Sequence, residues 1–475
     1  MLRLSRHERG FFFQLPILVT LVAVGAAACG VSARTAGRGR SHLTGSPGSG
    51  AARNVILFIG DGMGDPEITL ARNYQVGAAG RLHMDLLPHT GAMTTYSVLE
   101  ADPARPDYVT DSAASATAWA TGHKTSNGRL STVPGNAEFV PTLAEVARAN
   151  GLATGNVSTA ELTDATPAAL GAHVNDRGCA GPVDMRACPA FRRSAGGPGS
   201  IAEQLVDHDF DVLLGGGRQR FAQPLEAPAG ERVTDTARAR GYAVVTDAAG
   251  LAALPPGPKV LGLFADRDMT PEWIGEPATP YPGSGPQRCR EGQRPASEPS
   301  LAAMTRTALE RLQAAQDGKP RGFFLQVEGA SIDKMSHVAN PCAQIGETVA
   351  LDAAVAVALD FAATHPDTLI VVTGDHGHAV QILPLPTERD HSPGRVSTLL
   401  TADGGPMHVS YATAATAGRY QEHTGAQIRV AAQGPQAERV QGVIDNTDLF
   451  GLILDALALP PPATGELPRG AAARP

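Results

Sequence analysis

The chain has 475 residues, 43% of them hydrophobic and 18% charged, with 39 Lys+Arg against 47 Asp+Glu for a formal net charge of −8. This composition excludes a disordered or collagen-like chain and supplies ample apolar side chains for a large core. Mild acidity argues against binding to nucleic acid or anionic membranes, which needs clustered Lys and Arg, and the five cysteines show no zinc-finger spacing.

At the N-terminus, Arg3, Arg6 and Arg9 precede an apolar run at 15–24, after which Gly25, Ala26, Ala27 and Ala28 lead to Cys29. A charged region, an apolar region and small residues, in that order, predict an export signal over 1–28. The apolar run is short for a membrane span. Two processing routes stay open: plain signal-peptidase cleavage, or lipid modification of Cys29, with Ala26 standing where leucine is usual. Either one predicts an exported protein, periplasmic or a lipoprotein of the outer membrane or cell surface. Residues 29–53, rich in Gly, Ser, Ala and Arg without an apolar period, read as a flexible tether.

Apolar, β-branched runs at 54–59, 153–158, 212–214, 323–327 and 369–373 each end in a Gly-rich or polar turn, and helical patterns at 142–150, 301–315 and 348–363 separate such runs. They predict an α/β fold over 54–459, with a central, mostly parallel β-sheet and helices on both faces. Residues 271–299 hold seven prolines and read as an irregular surface excursion. Pro460, Pro461, Pro462 and the Gly and Ala that follow read as a disordered tail over 460–475. Apart from Cys29, the cysteines are Cys179, Cys188, Cys289 and Cys342, which an oxidising compartment would pair. Three connectivities are open. A nine-residue spacing within a Gly- and Pro-containing stretch favours Cys179 with Cys188, which leaves Cys289 with Cys342.

Ligands of open α/β sheets bind beyond the carboxyl ends of the strands. The run at 54–59 leads into Gly60-Asp61-Gly62, whose glycines allow a tight turn and close approach of another group. The run at 323–327 ends at Glu328, and Asp333 and His337 follow at i and i+4, on one face of a helix. The run at 369–373 ends in Gly374-Asp375-His376-Gly377-His378, where His378 is either a ligand or a group that orients a ligand carboxylate. His423 stands just before the apolar 428–432. Asp111-Ser112 opens an Ala-rich helical segment running to Thr121. The ordinary reading is an N-cap, but a helix N-terminus also suits a phosphate, and a serine there, beside metals, suits an activated nucleophile. A mixed Asp/His set suits zinc, and the oxygen set Asp61, Thr166 and Glu328 suits magnesium. Each motif alone has a common structural explanation, whereas convergence of several strand ends on Asp and His does not. Together they describe a metal-dependent phosphoryl-transfer hydrolase.

Long motifs then carry a family resemblance: GDGMGDPEIT at 60–69, DYVTDSAASATAWATG at 107–122, GNVSTAELTDATPAALGAHV at 155–174, FFLQVEGASIDK at 323–334, ANPCAQIGETV at 339–349, TGDHGHA at 373–379 and QEHTGAQIRVAAQGP at 421–435. From about 54 to 457 the chain resembles the bacterial alkaline phosphatases. The resemblance implies that Ser112 is the nucleophile that becomes phosphorylated and that Arg177 holds two phosphate oxygens. It implies two zinc ions per chain, one on Asp333, His337 and His423 and one on Asp61, Asp375 and His376, and one magnesium on Asp61, Thr166 and Glu328. Asp164 and Lys334 would act through waters on the magnesium and the phosphate. Also implied are both disulfides in the pairing above, a homodimer, and hydrolysis of a broad range of phosphate monoesters for phosphate scavenging. Met335 and Ser336 depart from the family pattern without changing the ligand spacing, and 271–299 aligns less clearly. Of the rivals, a sulfatase needs a Cys/Ser-x-Pro-x-Arg modification site, which Ser112-Ala113-Ala114-Ser115-Ala116 lacks. A phosphodiesterase of the same superfamily would lack the magnesium set. A non-catalytic, surface-tethered phosphate- or metal-binding lipoprotein would have no need of Ser112 or Arg177.

Overall fold

The computed structural model describes residues 43, 50–135, 139–255, 257, 259–315, 321–389, 392–414 and 420–462. The predicted export signal with Cys29, most of the tether and residues 463–475 of the predicted tail lie outside the described residues. A ten-stranded sheet organises the chain, in the spatial order Gly442–Asp445, His89–Thr94, Ile428–Gln433, Thr368–Gly374, Asn54–Gly60, Phe323–Gly329, Ala153–Glu161, Val212–Gly216, Lys259–Leu263 and Tyr242–Val245. All neighbours run parallel except the two pairs that flank Ile428–Gln433. The fold is therefore α/β and mostly parallel, as its strand pattern predicts.

The strand Asn54–Gly60 shows why these runs carry no polar alternation. Val55, Leu57 and Ile59 join the core on one face of the sheet, and Ile56 and Phe58 join the core on the other. Helices Ser112–Thr121, Leu143–Ala149, Ile201–Asp207 and Asp448–Ala456 cover the first face, and Asp65–Val76, Leu301–Ala314 and Pro341–Thr364 cover the second. A strand buried on both sides is apolar along most of its length. The longest helix starts at Pro341 rather than near 348, because Asn340 caps it by accepting from Ala343 N and proline suits the first helical position. Among the described residues no helix is long and apolar enough to cross a membrane.

Residues 271–299 lie at the surface as expected, but they carry more regular structure than their prolines predict. Thr279–Pro280 and Ser284–Gln287 pair with Arg395–Leu400 in a second, five-stranded sheet that also holds Pro406–Tyr411 and Val380–Leu383. Trp273–Ile274 pairs with Arg290–Glu291. These strands are short and largely exposed, the setting in which a sheet tolerates proline. The disulfide Cys289–Cys342 ties this segment to the long helix, and Cys179–Cys188 closes the other bridge.

Candidate active site

Four adjacent strands, Thr368–Gly374, Asn54–Gly60, Phe323–Gly329 and Ala153–Glu161, point the same way, and their register sets Gly60 opposite both Gly329 and Gly374. The residues at and just past these ends therefore meet at one level, and they include Asp61, Glu328, Asp375 and His376. Gly62 has a φ of +67°, and a Cβ there would lie 2.9 Å from Asp333 Cα. Only glycine lets the Asp61 turn pack against the helix Ser331–His337.

Ser112 begins the helix Ser112–Thr121, whose cap, Asp111, accepts from Ala114 N at 2.9 Å. Ser112 Oγ lies 3.4 Å from Asp61 Oδ1 and 3.3 Å from His376 Nε2. Ser115 Oγ donates to the Asp375 carbonyl at 2.7 Å, which fastens this helix end to the strand end.

One donor group gathers around Asp333. His337 Nε2 is 3.2 Å from Asp333 Oδ2, His423 Nε2 is 3.2 Å from Asp333 Oδ1, and the two Nε2 atoms are 3.1 Å apart. His337 Nδ1 faces the Gln421 carbonyl and His423 Nδ1 the Thr110 carbonyl. A carbonyl only accepts, so each Nδ1 carries a proton and each neutral ring turns an Nε2 lone pair toward Asp333. Two lone pairs and a carboxylate so close together call for a cation. That cation is either a second proton on His423, whose pKa Asp333 pushes up to about 9 against the effect of burial, or a metal ion. His378 differs. Its Nδ1 accepts from Ala379 N at 2.8 Å, which leaves the proton on the Nε2 that lies 3.1 Å from Asp333 Oδ1. His378 thus presents a proton, not a lone pair, to Asp333.

A second group adjoins the first, since donor atoms of Asp61, Asp333 and His376 lie within 4.8 Å of one another. His376 Nε2 is 3.6 Å from Asp61 Oδ1 and 3.2 Å from Asp375 Oδ2. Asp375 Oδ1 accepts from Gly62 N and His376 N, both at 2.8 Å, while its Oδ2 is buried without a hydrogen-bond partner. Nearby, Glu328 accepts from Ser158 Oγ, and the buried Thr166 Oγ1 has no hydrogen-bond partner. Burial, aided by Asp375, Asp333 and Glu328, raises the Asp61 carboxyl well above its ordinary range. Burial lifts Glu328 to about 8 and, with Asp333, Asp375 to about 6. Carboxyls crowded in this way keep protons unless a divalent cation neutralises them. The donor set, the orphaned oxygens and the inward lone pairs all fit bound metal ions.

Two cations complete the site. Arg177 donates from Nη2 to Asp164 Oδ1 at 2.6 Å and from Nη1 to Asp111 Oδ2 at 3.2 Å, and Lys334 Nζ donates to Asp164 Oδ2 at 2.6 Å. Burial opposes the charge on Asp164, but Lys334 and Arg177 hold its carboxyl well below the usual range. A cavity of about 570 Å³ is lined by Asp111, Ser112, Arg177, Asp333, Lys334, His337 and His423, together with Val109, Thr110, Asn127, Tyr420 and Glu422. Ser112, Arg177 and the residues expected to hold metals thus fall at one end of the sheet or on the elements that cover it. Sequence reasoning missed the hold of Asp111 on Arg177, Asp268 at 3.5 Å from Lys334 Nζ, and the stacking of Tyr420 on His337 at 4.1 Å between ring centroids. Asp111 carried a signal, since it flanks Ser112, whereas Asp268 and Tyr420 stand in stretches with no periodic pattern.

The alkaline phosphatase family profile matches residues 52–417. The chain is 57% identical over 427 residues to the streptomycin-6-phosphate phosphatase of Streptomyces griseus, covering 88% of this chain and 93% of that protein. It is 48% identical over 458 residues to the alkaline phosphatase of Escherichia coli (strain K12), covering 94% and 95%. Among solved structures, the alkaline phosphatase of the Antarctic bacterium TAB5 matches with a TM-score of 0.65 at 25% identity, covering 86% of this chain and 99% of that one. The chain belongs to the alkaline phosphatase family and is a metal-binding hydrolase.

Proposed function

We propose that this enzyme hydrolyses phosphate monoesters by two successive in-line displacements, with the phosphoryl group carried on Ser112 between them. The observation that carries this reading is the position of Ser112 Oγ, at a helix N-terminus, within 3.4 Å of both Asp61 and His376, and lining one cavity with Arg177. Asp333, His337 and His423 would hold one zinc ion, Asp61, Asp375 and His376 a second, and Asp61, Thr166 and Glu328 a magnesium ion. Ions bound there lower the pKa of nearby hydroxyl groups and offset charge that develops on oxygen. Asp164 and Asp111 orient the Arg177 guanidinium, whose planar fork takes two phosphoryl oxygens. His378 keeps Asp333 in position. Ser112 Oγ gives up its proton to solvent and attacks phosphorus, and the alcohol oxygen leaves with the bonding pair and is protonated from solvent. A water that has lost a proton to solvent then attacks the phosphoserine and breaks its O–P bond, and Ser112 Oγ takes the bonding pair and a proton from solvent as inorganic phosphate is released. Both attacking oxygens must lose a proton, so turnover rises above neutral pH.

The test is hydrolysis of a chromogenic phosphate monoester and the matching diester, before chelation, after it, and with zinc and magnesium restored. The monoester should be preferred and the loss on chelation reversed. Preference for the diester, or indifference to chelator, overturns the proposal. Broad specificity and phosphate scavenging rest on the family resemblance. The 57% identity to a streptomycin-6-phosphate phosphatase supports a narrower reading, in which the leaving alcohol is streptomycin, a cation. Tyr420, 57% exposed, and Glu422 line the cavity and offer such a group a ring face and a carboxylate. A kcat/KM for streptomycin 6-phosphate no better than for an aryl phosphate rejects that narrower reading. Export through residues 1–28, with or without lipidation of Cys29, and a homodimer complete the proposal. The mass of the mature N-terminus and sedimentation equilibrium test them.

A further inference from the structure

We infer that Glu145, His173 and His208 form a further metal site, for a zinc-class ion, built from residues outside the active site. Their donor atoms lie within 4.8 Å of one another. His173 Nε2 is 3.1 Å and His208 Nε2 3.5 Å from the same oxygen, Glu145 Oε1. The other oxygen of Glu145 accepts from Thr142 N at 2.8 Å, so a helix cap fixes the carboxylate. His173 Nδ1 faces the Ser131 carbonyl at 2.8 Å. That carbonyl holds the ring proton on Nδ1 and turns the Nε2 lone pair toward Glu145. His173 is thus held as His337 and His423 are at Asp333, with a carbonyl at Nδ1 and a carboxylate at Nε2. Phe139 stacks on His173, with centroids 5.0 Å apart, and limits its rotation.

Glu145 and His173 are buried, whereas the His208 side chain is 23% exposed. Solvent therefore reaches the cluster from the His208 side, which gives an ion a way in and a water as fourth ligand. Two imidazoles and a carboxylate with one open position form a zinc-type donor set. The buried carboxylate calls for a cation, and the cluster offers a metal three donors against the single proton that His173 could hold. The three ligands come from the helix Leu143–Ala149, from the segment between Ala165–Ala168 and Arg177, and from the cap that ends Ile201–Asp207. An ion there would clamp these three segments together, and its role is structural.

The experiment loads the full chain with zinc and magnesium, removes free ions by gel filtration, and counts zinc per chain by plasma mass spectrometry. His208→Ala should carry one zinc ion fewer than the unaltered chain while hydrolysing 4-nitrophenyl phosphate at an unchanged rate. His208→Gln, closer in size, serves the same comparison if the alanine variant fails to fold. In crystals of the unaltered chain grown with zinc, anomalous scattering at the zinc edge should show a peak among Glu145, His173 and His208. Equal zinc content in variant and unaltered chain, or zinc peaks at the active site with none at this cluster, overturns the inference. The comparison counts a difference between two chains, so it stands or falls independently of the phosphatase reaction.

Discussion

Asp111 serves several neighbours at once. Its Oδ1 caps the Ser112 helix through Ala114 N, while its Oδ2 takes Arg177 Nη1 and Gly128 N. Asparagine can keep the first role, because an amide oxygen also caps a helix, but its NH2 group faces Arg177 with like polarity. Asp111→Asn should therefore melt near the temperature of the unaltered enzyme and show a KM raised about tenfold, the worth of one charge-assisted hydrogen bond. Asp111→Ala should show the same KM and lose about 1 kcal/mol of stability besides, from the missing cap. Thermal unfolding and steady-state kinetics on the two variants separate the roles, and equal KM values in all three proteins would remove Asp111 from phosphate binding. Ser112→Ala is the harsher change. Loss of the proposed nucleophile should cost a factor on the order of ten thousand or more in turnover, and no phosphoserine should form when the variant is quenched with acid during turnover.

The elements show where the sequence was legible. Central strands such as Asn54–Gly60 stand out because burial on both faces makes them nearly unbroken apolar runs, and the proposed ligands stand out because they follow those runs at once. His89–Thr94 and Gly442–Asp445 are short, half-exposed and glycine-bearing, so no period marks them, and only pairing with a neighbour makes them strands. The segment 271–299 hid for a different reason, since what orders it lies elsewhere in the chain. Part of that order is Glu347 on the long helix, which accepts from Glu272 N at 2.8 Å and whose carboxyl burial pushes up to about 8. The unfolded chain gives up this proton from about pH 4.5, the folded chain only near 8. Stability from this group therefore falls as pH rises across that window, and the loss is complete above it. Glu347→Gln removes the ionisation and keeps an oxygen for Glu272 N. Its stability relative to the unaltered enzyme should improve by a few kcal/mol between about pH 5 and about pH 9, as read from chemical denaturation at each pH. A difference that stays flat with pH would show that Glu347 is ionised throughout.

At the scale of the whole molecule the two disulfides divide stability from function. Cys289–Cys342 spans 53 residues of sequence and joins the segment of the second sheet to the long helix, whereas Cys179–Cys188 spans nine and lies two residues beyond Arg177. Chain entropy makes the longer bridge the stronger constraint on the unfolded state, worth about 4 kcal/mol against about 2.5 kcal/mol for the shorter. Position reverses that order for catalysis. Arg177 reaches Asp164 and Asp111 from a segment whose far side is held by the short bridge, and two hydrogen bonds from a loosened segment no longer fix the guanidinium fork. Replacing Cys179 and Cys188 by serine should thus raise KM for a phosphate monoester with a modest loss of stability. Replacing Cys289 and Cys342 should lower stability more and leave KM near its original value. Denaturation midpoints and KM measured on both double variants test the pair of expectations together. If the short-bridge variant kept its KM, the hydrogen bonds to Asp164 and Asp111 would suffice to hold Arg177, and the bridge would contribute to stability alone.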